Sequence, residues 1–306
     1  MKRKIKIGIP RAFLYYRRNV FWKNILEGIG VSIILSPVTN KEILEVGKSL
    51  SVDESCLPSK IYLGHVAYLA DKCDYILVPR VSNYGKEKRV CMKFYGMYDV
   101  IMNLFPNIQL LDYNIDYLKG KFEFFEIMKM GFKINKNIFK VIWSYFISKS
   151  KEKKYNLSLI NSQKNILRSN GLKILIVAHP YVIYDEYLGG TVLKYLKDMG
   201  IQILYSDRMD KRESIYYSKE FSKTLYWLYA KENIGSVFYY KNAVDGIIFL
   251  SSFPCGVDSL VNELAIRKLD DVPSINIILD ESSADAGLQT RLESFVDIIK
   301  ARRENG

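Results

Sequence analysis

The chain has 306 residues, 49% of them hydrophobic, and carries 45 Lys and Arg against 33 Asp and Glu, a formal charge of +12. That length suits two ordinary domains with their own cores. No stretch reaches the roughly 18 uninterrupted apolar residues of a membrane span. MKRKIKIGIP is basic and then only briefly apolar, without a small-residue cleavage site, so it reads as a first strand and not a signal peptide. Four cysteines and no export signal predict a reduced, cytoplasmic protein.

The basic excess gathers between Lys119 and Lys164, where no arginine occurs. Arginine is the usual base-reading residue, and no nucleic-acid motif appears, so a nucleic-acid partner is not expected. The run reads either as a solvated helical face or as a docking surface for an acidic partner or a phosphate-bearing substrate.

Taken in order, IKIGI (5–9) is a short apolar strand closed by Pro10, and 14–29 a helix with Leu14, Phe21, Ile25 and Ile29 on one side. VSIIL (31–35) follows, then a helix capped by Asn40 and running to about Leu50. Cys56 and Pro58 open the next helix. DYILVP (74–79) is a buried strand, a basic loop leads to Cys91 and a helix to about Leu104, and IQLLD (108–112) closes the first alternation. Residues 116–168 lack strand patterning and read as two or three helices. A second alternation begins at LKILIVAHP (172–180). It continues with a helix over 185–199, IQILY (201–205), a helical stretch over 218–241 and DGIIFLSS (245–252). Cys255 then opens a helix bearing Val257, Leu260, Val261 and Leu264, followed by INIILD (275–280) and a final helix from about Ala286. The pattern predicts an α/β protein of two similar Rossmann-like parallel-sheet domains with a helical linker or cap: 1–115, 116–170 and 171–306. The halves echo each other in IGIPRAFLYY and LIVAHPYVIYDEY, in DYILVP and DGIIFLSSFP, and in IQLLD and INIILD. Ligands of such sheets bind at the carboxyl ends of the strands. Two facing halves would bring Cys56 and Cys91 of one to Cys255 of the other.

Three of the four cysteines, Cys56, Cys91 and Cys255, are placed where a strand hands over to a helix. Free N–H groups and the helix dipole favour thiolate there, the form that binds metal. No C-x-x-C pair exists, so a metal would be held by distant loops of a finished fold. Three thiolates leave one position open, as in a cubane iron–sulfur cluster with one free iron. The alternative is three small buried thiols. Cys73 directly precedes a strand and reads as packing. His65, mid-helix, reads as a core or surface histidine. His179 ends a central strand, where it can bond its neighbouring loop or transfer a proton. Arg11 ends the first strand and suits an anionic cluster, a phosphate or a plain salt bridge. Ser251 and Ser252 could donate to cluster sulfur. Asp53 and Glu54 read as caps of the following helix. No G-x-x-x-x-G-K-[ST], G-x-G-x-x-G or G-x-S-x-G is present, which argues against an ATPase, an NAD enzyme and a hydrolase.

The order of KIGIPRAFLYYR, LSPVTNKEI, VDESCLPSKIYLGHV, DYILVPR, VCMKF, HPYVIYDEY, SSFPCGVDSL and LDESSADAGLQTRLESFVD resembles the D-component-type proteins of the 2-hydroxyacyl-CoA dehydratase system, a group also described as acyl-CoA dehydratase activase-related. The resemblance runs from residue 5 to about 298 and is weakest over 116–170. It implies Rossmann-like domains and a 4Fe-4S cluster held by three cysteines, which map onto Cys56, Cys91 and Cys255. It further implies an ATP-dependent activator as electron donor, an acyl-CoA thioester as substrate, and a homologous subunit or a homodimer as partner. The activity implied is that of a lyase component or a low-potential reductase. A related branch carries a double-cubane cluster in a dimer, and an electron relay or partner-docking subunit is the non-catalytic alternative. Two departures stand out: Met92 where relatives have Pro after the second cysteine, and DESSADAG, with Ser282 and Asp285, where they show a His.

Overall fold

A computed structural model describes residues 3–269, 272–281 and 285–304. The chain divides into two compact units, Met1–Asn156 and Leu157–Gly306. Ser282 lies outside the described residues.

In the first unit the alternation forms β1 (Lys6–Ile9), α1 (Tyr15–Ile29), β2 (Ser32–Leu35), α2 (Lys41–Ser49), α3 (Leu57–Leu69), β3 (Tyr75–Leu77), β4 (Arg80–Asn83), α4 (Lys93–Leu104), β5 (Leu110–Leu111) and β6 (Asn114–Asp116). Four strands make a parallel sheet in the order β2-β1-β3-β5. Its faces bury Ile7, Ile76, Phe21, Ile25 and Ile61, the apolar positions that the strand and helix periods put inward. Asn40 caps α2 by accepting from Ile43 N at 2.9 Å. A small parallel pair of β4 and β6 stands beside the main sheet. The sequence pattern does not announce it, because each strand is only three or four residues long and polar at alternate positions.

Two helices, α5 (Glu123–Ile134) and α6 (Ile138–Arg168), follow a 3₁₀ turn at Tyr117–Lys119. They are tied to α1 by a charge cluster. Arg18 reaches Glu123 at 2.5 Å and Glu152 at 3.2 Å, and Lys149 reaches Glu123 at 3.1 Å. Phe21 meets Tyr145 edge-on beneath it.

The second unit contains β7 (Lys173–Val177), α7 (Pro180–Ile183), α8 (Gly190–Asp198), β8 (Gln202–Tyr205), α9 (Lys211–Phe221), α10 (Leu228–Tyr240), β9 (Gly246–Ser252), α11 (Gly256–Ile266), β10 (Ser274–Leu279) and α12 (Asp285–Glu304). Its sheet is parallel throughout, in the order β10-β9-β7-β8. Every residue of β9 is buried, as expected of a central parallel strand covered on both faces. The single helix expected over 185–199 is interrupted. Asp185 Oδ1 turns the chain by accepting from Tyr187 N and Leu188 N, and α8 starts only at Gly190. The stretch expected over 218–241 is likewise two helices. Asp210 starts α9 by accepting from Arg212 N and Glu213 N, and the extended Ser222 ends it.

Both units place two helices between their second and third strands, and both pairs cross on bare backbone. A Cβ on Gly47 would meet Lys60 O, and one on Gly64 would meet Ile43 O, each at 1.9 Å. A Cβ on Gly235 of α10 would come as close to Ser214 O of α9. Among the described residues no helix is long and apolar enough to cross a membrane.

Candidate functional site

The helix N-termini carry the thiols, though not always after a strand. Cys56 is the N-cap of α3, but α2 and a loop precede it rather than a strand, because the β2–β3 crossover holds two helices. Its Sγ lies 2.9 Å from Ser59 Oγ, one turn into the helix. The expected capping by Asp53 and Glu54 is replaced by Cys56 itself in extended conformation, while the Asp53 carbonyl accepts from Lys60 Nζ at 3.0 Å. The glycine crossing fixes α3 against α2, so the position of Cys56 is set by backbone contact. Cys91 is exposed, one residue before Met92, the N-cap of α4. Cys255 is the N-cap of α11, after Phe253 and a cis Pro254 that follow β9. Cys56 and Cys91 belong to the first unit and Cys255 to the second. Cys73 behaves as expected of a packing residue. Its thiol donates to Leu69 O at 3.2 Å, lies against Gly8 of β1, and is pushed up in pKa chiefly by burial.

At the carboxyl end of β1 the backbone N–H of Arg11 donates to Ser36 Oγ at 2.8 Å. Its Nε is buried without a partner, and among the described residues Arg11 forms no ion pair. His65 is fully buried in α3, with Nε2 3.0 Å from Thr39 Oγ1. Burial, helped by the Arg11 charge, lowers its pKa to about 3.

In the second unit the carboxyl edge of the sheet assembles a linked group. His179 caps α7 immediately beyond β7, and its Nε2 lies 3.0 Å from Asp258 Oδ1. Asp258 sits three residues into the segment that Cys255 caps and accepts a hydrogen bond from the Cys255 thiol. Burial pushes the Asp258 carboxyl up. The His179 ring and the bonds from His179 and Cys255 outweigh that, and hold it below the usual carboxylate range. His179 stacks on Tyr181 at 5.0 Å, and its Nδ1 is buried without a partner. Ser251 and Ser252 are buried at the end of β9, and Ser251 Oγ has no partner either. Asp258 escaped the sequence reading. Its signal was the Cys-x-x-Asp spacing at a helix start, the geometry of a capping box.

Among the described residues no three His, Cys, Asp or Glu side chains come together as ligands of a single metal ion. Cys56 and Cys91 of the first unit and Cys255 of the second offer thiols, soft donors that suit iron better than a hard cation; within their own units Arg11 Nε and Ser251 Oγ are buried without a partner.

Among curated proteins no relative matches. Two solved structures are similar at low identity. One, titled "Crystal structure of ZnuA", is 10% identical over 96% of this chain and 99% of that one, with a TM-score of 0.31. The other, a ZnuA deletion mutant with zinc bound, is 11% identical over 97% of each chain, again with a TM-score of 0.31. Neither carries an argument about this fold or its ligands. Residues 6–209 match the family described as CoA enzyme activase uncharacterised domain (DUF2229). The match spans more than half of the chain, from β1 through the loop after β8, and the protein therefore belongs to that CoA enzyme activase family.

Proposed function

We propose that the protein is an iron–sulfur component of a CoA-enzyme activation system, of the D-component type, with Cys56, Cys91 and Cys255 as the ligands of a 4Fe-4S cluster. The observation that carries this reading is that three of four cysteines stand at or next to helix N-caps, in a member of the CoA enzyme activase family. When bound, the cluster supplies one-electron transfer at low potential. The chain's own residues have separate tasks. Each thiol must lose its proton to bind metal. At Cys255 the thiol hydrogen-bonds to Asp258, itself held by His179 Nε2, which fixes the direction of the side chain. Arg11 offers a fixed positive charge at the end of β1, and Ser251 a hydroxyl at the end of β9. The electron donor is an ATP-driven activator, since this chain has no phosphate-binding loop of its own. The substrate class is an acyl-CoA thioester, dehydrated or reduced.

Anaerobic purification and reconstitution with ferrous iron and sulfide test the reading. Iron, acid-labile sulfide and the electron paramagnetic resonance of the reduced protein are measured. A bound cluster is expected. Cys56→Ala, Cys91→Ala and Cys255→Ala each should lose most of the iron, while Cys73→Ala keeps it. A chain without iron, or a Cys255→Ala variant that loads as fully as the parent, overturns the ligand set.

A further inference from the structure

The first unit holds the chain's entire charge excess. Residues 1–156 carry 27 Lys and Arg against 14 Asp and Glu, and residues 157–306 carry 18 against 19. On α5 and α6 the acids are already used. Glu123 and Glu152 are bound by Arg18 and Lys149, and Glu126 by Lys129. Lys136, Lys140, Lys153 and Lys154 form no ion pair among the described residues. Beside the first two, three aromatic side chains stand out at helical spacing on the first turns of α6. Phe139 is 83% exposed, Trp143 70% and Phe146 58%. With Asn137, Lys140 and Ile142 they line an open groove of about 460 Å³.

Exposed aromatics in this number are costly in water and mark contact surfaces. The opposite face of α6 is held to α1 through Tyr145 and Glu152, so the helix cannot roll to bury them. We propose that this face docks a partner protein through an acidic amphipathic helix. Phe139, Trp143 and Phe146, at i, i+4 and i+7, form a ridge and groove that a crossing helix fills. Lys136 and Lys140 face the partner's carboxylates, setting encounter rate and register. The charge argues against a second copy, which would bring lysine against lysine. The shape argues against a lipid surface, since the patch ends after about three turns at Ile147, whereas a lipid-bound helix buries an apolar stripe along its length. The proposal stands apart from the cluster reading, because its test does not depend on iron.

The probe is a synthetic amphipathic helix with leucine at i, i+4 and i+7 and glutamate on its flanks, titrated into the full chain by calorimetry. Saturable binding is expected, weakening steeply between 50 and 300 mM salt (both about) because exposed charges are screened. Trp143→Ala and the pair Lys136→Glu, Lys140→Glu should each weaken it at least tenfold with unchanged circular dichroism. Phe139→Ser, at a side chain almost wholly in water, repeats the test should Trp143→Ala misfold. Lys151→Ser, outside the groove, should bind as the parent does. The proposal is overturned by absence of binding, or by equal binding of a peptide with lysine in place of glutamate. Undiminished binding by Trp143→Ala, self-association abolished by Trp143→Ala, or binding to anionic phosphatidylglycerol vesicles in place of the peptide would each overturn it as well.

Discussion

His65 shows how burial sets a residue's chemistry. Its ring is enclosed in α3 with one bond to Thr39, and its pKa falls to about 3. A histidine held neutral in the fold but free to protonate when unfolded stabilises the native state fully above its unfolded pKa of about 6.5. That contribution erodes as pH falls from there toward about 3, with a slope of roughly 1.4 kcal/mol per pH unit. Urea titrations between pH 7 and 4 should show this slope, and His65→Gln should flatten it; an unchanged slope in the variant would place the acid sensitivity elsewhere. Residues at this scale were partly legible in the sequence. Cys73 and His179 could be placed because a strand's edges are written in its apolar run. Asp258 could not, since its meaning depends on His179, 79 positions away at the start of another helix. Cys56 was readable as the start of a second helix in its crossover, because Asn40 and Pro58 mark both helix starts locally.

Between elements, contact is decided by what is missing from a side chain as much as by what is present. Gly64 lets α3 touch the backbone of α2, and an added methyl would meet Ile43 O at 1.9 Å. Gly64→Ala should therefore destabilise the chain by about 3 kcal/mol or more, because a carbonyl of a neighbouring helix cannot step aside. Gly96 on α4 has nothing within 4 Å of the same atom. Gly96→Ala should raise stability by up to about 1 kcal/mol through helix propensity alone. Denaturant melts of the two variants check both signs, and a mild Gly64→Ala would show that the helices can part. The Arg18 cluster is a second such junction. Burial raises the Glu123 carboxyl and Arg18 and Lys149 more than reverse it, so the carboxyl ends below its usual range. Its stabilising part is present above the unfolded pKa and disappears as pH falls through the folded one. Arg18→Met leaves two carboxylates buried near one lysine and should cost about 3–5 kcal/mol; a loss below 1 kcal/mol would show that water reaches the cluster. Helix and strand order was legible because periods of 3.6 and 2 are local. The β4–β6 pair and the breaks before α8 and between α9 and α10 were not. They rest on short polar segments, on Asp185 acting as a local hydrogen-bond acceptor and on the extended Ser222 that ends α9.

At the scale of the whole molecule each unit has its own buried sheet, around Phe21 in one and Phe249 in the other. Phe249→Ala should cost about 3–5 kcal/mol. Hydrogen exchange should show the loss of protection in residues 157–306 while β1 and α1 stay protected; equal loss in both would reveal a single cooperative block. The two units also share a plan. Each sheet runs second strand, first, third, fourth, and each crossover between the second and third strands holds a pair of helices meeting at glycine. Set side by side, β1 corresponds to β7, α3 to α10, and the Cys91 helix start to the Cys255 helix start. The helix that Cys56 caps in one unit is capped by Trp227 in the other. The two units thus match in a thiol at the helix start that follows their third sheet strand and differ at the helix start before it, where Trp227 stands in the place of Cys56.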